Sequence, residues 1–175
     1  MIDSFDLLTS LAEIAGIFIG FGALIVLSGR KEEDPVEMGM VRQVVVSGLV
    51  TLVGALIPIG VAQFGVETAL LWRISAGGFF GVIWFAILHP TSRPLLINQF
   101  RNDPKAAAFF WFVLEPPIQV PLVLAMFGAF PERAAGLYTI AVVVNLVQGA
   151  QLLAQVVYAR VERTGGGGGQ VASPP

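Results

Sequence analysis

A chain of 175 residues with 55% apolar and only 13% charged side chains cannot cover a soluble globule with ionised groups. Its net charge of −2 argues against a nucleic-acid partner, which calls for a basic patch. With no cysteine and a single histidine, His89, disulfides, iron–sulfur clusters, thiolate metal sites, multi-histidine metal sites and bis-histidine haem are excluded, and no cofactor is expected.

The first six residues, Met1–Asp6, are acidic, whereas a signal peptide begins with a positive region. Leu27-Ser28-Gly29-Arg30 is also a poor cleavage site, so the apolar segment Leu7–Leu27 reads as a retained helix. Four similar segments follow: Val44–Phe64, Ala69–Leu88, Ala106–Phe130 and Ala134–Ala159. Crossing a bilayer takes about 20 mainly apolar residues, and each segment meets that length. The expected fold is all-α, a polytopic membrane helical bundle of five transmembrane helices forming one domain over residues 1–163. The remainder, Thr164–Pro175, carries a run of glycines from Gly165 to Gly169 and reads as a disordered cytoplasmic tail.

Basic residues favour the cytoplasmic side of a membrane. Arg30, Lys31 and Arg42 follow the first segment, Arg93, Arg101 and Lys105 follow the third, and Arg160 and Arg163 follow the fifth. Only Arg73 and Arg133 fall towards the opposite side, which places the N-terminus outside and the C-terminus inside. Trp72 and Tyr138 then fall near the outer interface, with Trp84, Trp111 and Tyr158 nearer the inner one. The short connections Gly65–Thr68 and Pro131–Arg133 imply antiparallel hairpins. In the longer loop His89–Lys105, the residues Leu95, Leu96, Ile97 and Phe100 form either a short amphipathic turn on the membrane surface or an ordinary loop.

Ionisable groups inside apolar segments usually face a bundle interior or a watery cavity, because a charge at the helix centre costs about 2.5–3.5 kcal/mol. Glu13 lies about 9 Å inside the first segment and Arg73 about 6 Å inside the third. Gly16 and Gly20 follow on the Glu13 face, and Gly77 and Gly81 follow on the Arg73 face, spacings that permit close helix approach. These faces predict that helices one and three lie side by side with Glu13 paired to Arg73. A transport role for Glu13, or an Arg73 that snorkels to the outer surface beside Glu67 or Trp72, are the alternatives.

Glu115 is the stronger functional candidate. Pro116 and Pro117 follow it, then Pro121, and prolines remove backbone donors and clash with the preceding turn. The fourth helix should therefore kink or unwind between Glu115 and Pro121. Carbonyls freed at such a break can coordinate a cation, and broken helices line binding sites in transporters. By depth, Thr51 of the second segment and Gln148 and Gln151 of the fifth fall at a similar level, with Asn145 somewhat higher. A carboxylate, a hydroxyl and amides are thus expected to converge as an ion or proton site. Such groups also hold membrane helices together without any further role.

No H-E-x-x-H, G-x-S-x-G or G-x-x-x-x-G-K-[ST] motif occurs, which points away from a zinc protease, a serine hydrolase or an ATPase. Both lysines, Lys31 and Lys105, lie in loops, so no helix carries a lysine for a buried Schiff base. An enzyme is not expected, although an intramembrane carboxylate enzyme stays open. Two functions remain. One is a small oligomeric channel or carrier for protons or cations, with the bilayer and further copies of the chain as partners. The other is a scaffold or accessory subunit that binds another membrane protein. The general character is that of a small bacterial inner-membrane protein.

Overall fold

The computed structural model describes residues 4–28, 35–89 and 110–166, together with Pro104 and Ala108. Within them the chain is helical: α1 (Ser4–Ser28), α2 (Pro35–Ala62), α3 (Thr68–Leu88), a π-helical turn (Phe110–Leu114), α4 (Pro116–Phe127), a 3-10 turn (Pro131–Arg133) and α5 (Ala134–Gly166). Four helical spans are long and apolar enough to cross a membrane, namely Ser4–Ile25, Met38–Ala62, Thr68–Leu88 and Pro131–Tyr158. The fourth expected span differs. Its described part is a shorter apolar stretch, Trp111–Phe127, interrupted at Glu115.

Several helices outrun their apolar segments. Pro35 opens α2 in the first turn, where its missing N–H costs nothing, and the helix takes in the polar residues up to Gln43 that were expected in a loop. Helix α5 continues to Gly166, so the first residues of the expected disordered tail are helical. The remainder of that tail and the Leu95–Phe100 stretch lie outside the described residues. Gly65 (φ 65°) turns α2 back towards α3. Gly128 (φ 68°) ends α4 in the left-handed conformation, with its N–H on the Ala125 carbonyl and the Ala129 N–H on that of Leu124.

Helix α5 is the hub, packing on α1, α2, α3 and α4, while α1 lies mainly along α2 and α4 closes against α3. The main core joins Leu8, Ala12 and Ala15 of α1 to Ala55, Phe79, Leu122, Tyr138 and Val142. An aromatic chain crosses its upper end: Phe5 stacks on Trp72 at 6.0 Å, Trp72 meets Tyr138 at 5.6 Å, and Tyr138 meets Phe79 at 5.8 Å. Trp72 and Tyr138 are therefore core residues rather than interfacial anchors. At the opposite end Val41, Val44 and Val156 form a smaller cluster. Outward faces are mainly apolar, as with Leu24, Phe85, Phe112 and Val147, a surface suited to acyl chains, though Glu13 and Gln151 are exposed there too.

The expected packing of α1 along α3 is not found. Helix α1 meets α3 through the Phe5–Trp72 stack, which fixes their relative level. Glu13 lies eight residues past Phe5, about 12 Å further down the helix, whereas Arg73 directly follows Trp72. The two charges therefore sit at different depths. A Cβ placed on Gly16, Gly20 or Gly81 would meet nothing within 4 Å, so these glycines make no close approach inside the molecule. Gly77 does: its Cβ would lie 3.7 Å from Met126 Sδ of α4. Tight helix contacts fall instead at Gly48, where a Cβ would lie 2.8 Å from Ile19 Cγ1, at Gly149 against Ser47, and at Gly54 against the Phe79 ring.

Candidate functional site

The break in the fourth segment begins with missing donors. Pro116 and Pro117 open α4 and bring no N–H to the preceding turn, which winds as a π-turn from Phe110 to Leu114. In a continuous α-helix the Leu114 carbonyl would take the N–H of Ile118. Here that N–H goes to the Glu115 carbonyl at 2.9 Å, shared with the N–H of Gln119 at 3.0 Å. The orphaned Leu114 carbonyl accepts a hydrogen bond from Gln148 Nε2 of α5 at 2.8 Å instead. A buried carbonyl left bare in an apolar interior would cost about 1–3 kcal/mol, which explains why an amide stands at this point of α5.

Glu115 is buried at the corner of this break, with 7% of its surface exposed. Its Oε2 accepts from Gln119 Nε2 at 3.0 Å, one helical turn along α4. No charged partner among the described residues offsets the carboxylate. Across from it runs a second polar chain. Asn145 Nδ2 donates to Thr51 Oγ1 at 2.7 Å, and the Thr51 hydroxyl donates to the Ser47 carbonyl at 2.9 Å. Thr51, Asn145 and Gln148 are all buried.

Between these groups lies a partly open cavity of about 90 Å³, room for a few water molecules. Gln43, Ser47 and Val50 of α2 line one wall, Ile83, Ala86 and Ile87 of α3 another. Glu115 and α5 residues Asn145, Gln148 and Leu152 complete it. Carboxylate, amide and hydroxyl oxygens facing one small space can hold a hydrated proton or a small cation. Among the described residues no three His, Asp or Glu side chains gather as a metal site.

Of the residues expected to converge, Glu115, Asn145 and Gln148 line the cavity, and Thr51 backs it through Asn145. Gln151 does not belong: it is exposed on the outer wall of α5. The Glu13–Arg73 pair is also absent. Glu13 is exposed on α1, and Arg73 Nη2 donates to the Phe127 carbonyl at 2.9 Å, at the C-terminal end of α4. Pro116 and Pro117 break the fourth segment as expected, whereas Pro121 is accommodated inside α4. Ser47, one turn before Thr51 on the same face of α2, lines the cavity as that face implies. Two contributors escape a reading by depth. Gln119 is signalled by its i+4 spacing from Glu115. Gln43 was hidden because α2 starts earlier than its apolar run. Comparison with protein-family models, with curated proteins and with solved structures gives no match.

Proposed function

We propose that this chain is a small oligomeric transport protein in which Glu115 binds a proton or a small cation at the broken fourth segment. The observation that carries the reading is the cavity itself. A buried carboxylate with no cationic partner among the described residues borders a space of about 90 Å³ that oxygen-bearing side chains share. Such an arrangement is expensive as a mere support, since a carboxylate in an apolar interior is stabilised only by hydrogen bonds, water or a counter-ion. In this role the carboxylate exchanges a proton or cation with the cavity, and the Asn145 and Gln148 amides and the Ser47 hydroxyl complete its coordination. Five helices enclose little volume, so a continuous path forms most naturally between protomers about a symmetry axis. The proposed setting is a bacterial inner membrane, and the distribution of basic residues supports an N-terminus outside and a C-terminus inside.

The test is Glu115→Gln in proteoliposomes, with proton and cation flux measured. Flux lost with the charge is the expected result; flux unchanged in a conducting preparation removes Glu115 from the path.

A second reading, a scaffold that binds another membrane protein, is favoured by the open glycine face of α1. Gly16 and Gly20 lie exposed with nothing within 4 Å of a Cβ, as close helix approach from outside would require. Co-purification of one defined partner, with no flux from the isolated protein, would favour it over transport.

A further inference from the structure

Among the described residues three buried side-chain polar atoms have no partner, Ser75 Oγ, the Trp84 indole Nε1 and the Gln119 amide Oε1, and the last two lie on the facing sides of α3 and α4. Of these two, one is a donor only and the other an acceptor. Their positions match. The helices run antiparallel, and Gly77 of α3 faces Met126 of α4, with 3.7 Å between a Gly77 Cβ and Met126 Sδ. Trp84 stands seven residues after Gly77, and Gln119 seven residues before Met126. Seven residues are almost two full helical turns, about 20° from returning to the same face. The register that sets Gly77 opposite Met126 therefore sets Trp84 opposite Gln119. The cavity agrees, since Ile87 of α3 and Glu115, the residue that precedes α4, both line it one turn further along.

We propose that Trp84 Nε1–H and Gln119 Oε1, which stand beyond hydrogen-bond reach in this structure, close on one another by side-chain rotation, the indole donating to the amide oxygen, and that Trp84 and Gln119 are positioning residues for Glu115. An amide can present either end to a neighbour. With its oxygen held by the indole, Gln119 must turn Nε2 towards Glu115, the orientation seen at 3.0 Å. Reversing the amide would set its NH₂ against the indole N–H, donor against donor, and its oxygen against the carboxylate, acceptor against acceptor. The indole thus selects the amide orientation that stabilises an ionised Glu115. The hydrogen bond stands on the helix register alone; its importance to flux rests on the transport role proposed for Glu115.

The full chain has three tryptophans, Trp72, Trp84 and Trp111, so its ¹⁵N-indole spectrum in micelles is simple to read. Trp84→Phe assigns the Trp84 signal by its disappearance. Gln119→Leu, or Gln119→Met should the first variant fold poorly, is expected to shift the Trp84 indole resonance and speed its exchange with solvent. The other two indoles should stay in place. A Trp84 resonance that is unmoved, or that moves only together with the other two, overturns the pairing. In proteoliposomes Trp84→Phe should lower Glu115-dependent flux about fivefold, the worth of one net hydrogen bond. A shifted indole with undiminished flux keeps the hydrogen bond and rejects the positioning role.

Discussion

Tyr138 of α5 supplies the donor that Pro58 of α2 lacks. In a helix the Gly54 carbonyl takes the N–H of residue 58, and proline has none. The Tyr138 hydroxyl reaches across from α5 and donates to that carbonyl at 2.5 Å, fully buried beside Phe79. Gln148 likewise serves the Leu114 carbonyl at the break beside Glu115, whose usual donor, the Ile118 N–H, has turned to the Glu115 carbonyl. Two proline-disrupted helices are thus repaired by side chains of the same neighbour, and the repairs hold the bundle in register.

Tyr138→Phe should lower stability by about 1–2 kcal/mol, because it strands a buried carbonyl while leaving the ring contacts intact. In a Pro58→Ala background the loss should be smaller, since alanine returns the missing N–H at that position. Reversible denaturation in mixed micelles measures both, and the pairing is rejected if the two substitutions prove additive.

Gln148→Leu should cost about 1–2 kcal/mol for the same reason, with loosening at the break as well. Gln151→Leu, one turn on and exposed, should change stability by less than about 0.5 kcal/mol. Equal losses for the two variants would contradict the placement of α5.

Gly54→Ala forces a methyl group into the Phe79 ring and should destabilise the bundle by about 1–3 kcal/mol. Gly16→Ala and Gly20→Ala face open space and should leave the isolated protomer's stability unchanged or slightly raised. If either of these two instead changes the oligomeric state on size-exclusion chromatography, the α1 glycine face is an interface between copies.

Glu13→Gln and Arg73→Gln should be independent. Their effects on stability are expected to add within about 0.3–0.5 kcal/mol, as for sites without shared partners. A coupling energy above about 1 kcal/mol would restore the ion pair that the Phe5–Trp72 level excludes.

The site was more legible in the sequence than the neighbour relations of the helices. Glu115 beside two prolines announces a helix break because the missing N–H groups are written in the residues themselves. Thr51, Asn145 and Gln148 could be grouped because polar side chains in apolar segments have few places to turn. Gln151 was grouped with them by depth, yet six residues from Asn145 rotate it about 240° around α5, onto the outer wall. Lateral order is a different matter. Depth counted from the ends of apolar runs set Glu13 level with Arg73, but α1 and α3 are aligned by a contact between Phe5 and Trp72 that no periodicity encodes. The G-x-x-x-G spacing misled in the same way. Glycines at Gly22, Gly48, Gly54 and Gly149, with no such spacing among them, make the close approaches.

Helix α5 follows in chain order every carbonyl that it rescues. Gly54 and Leu114 are therefore translated before the Tyr138 and Gln148 donors exist. Until α5 is in place neither carbonyl has its side-chain donor, so the two proline-disrupted sites are closed last.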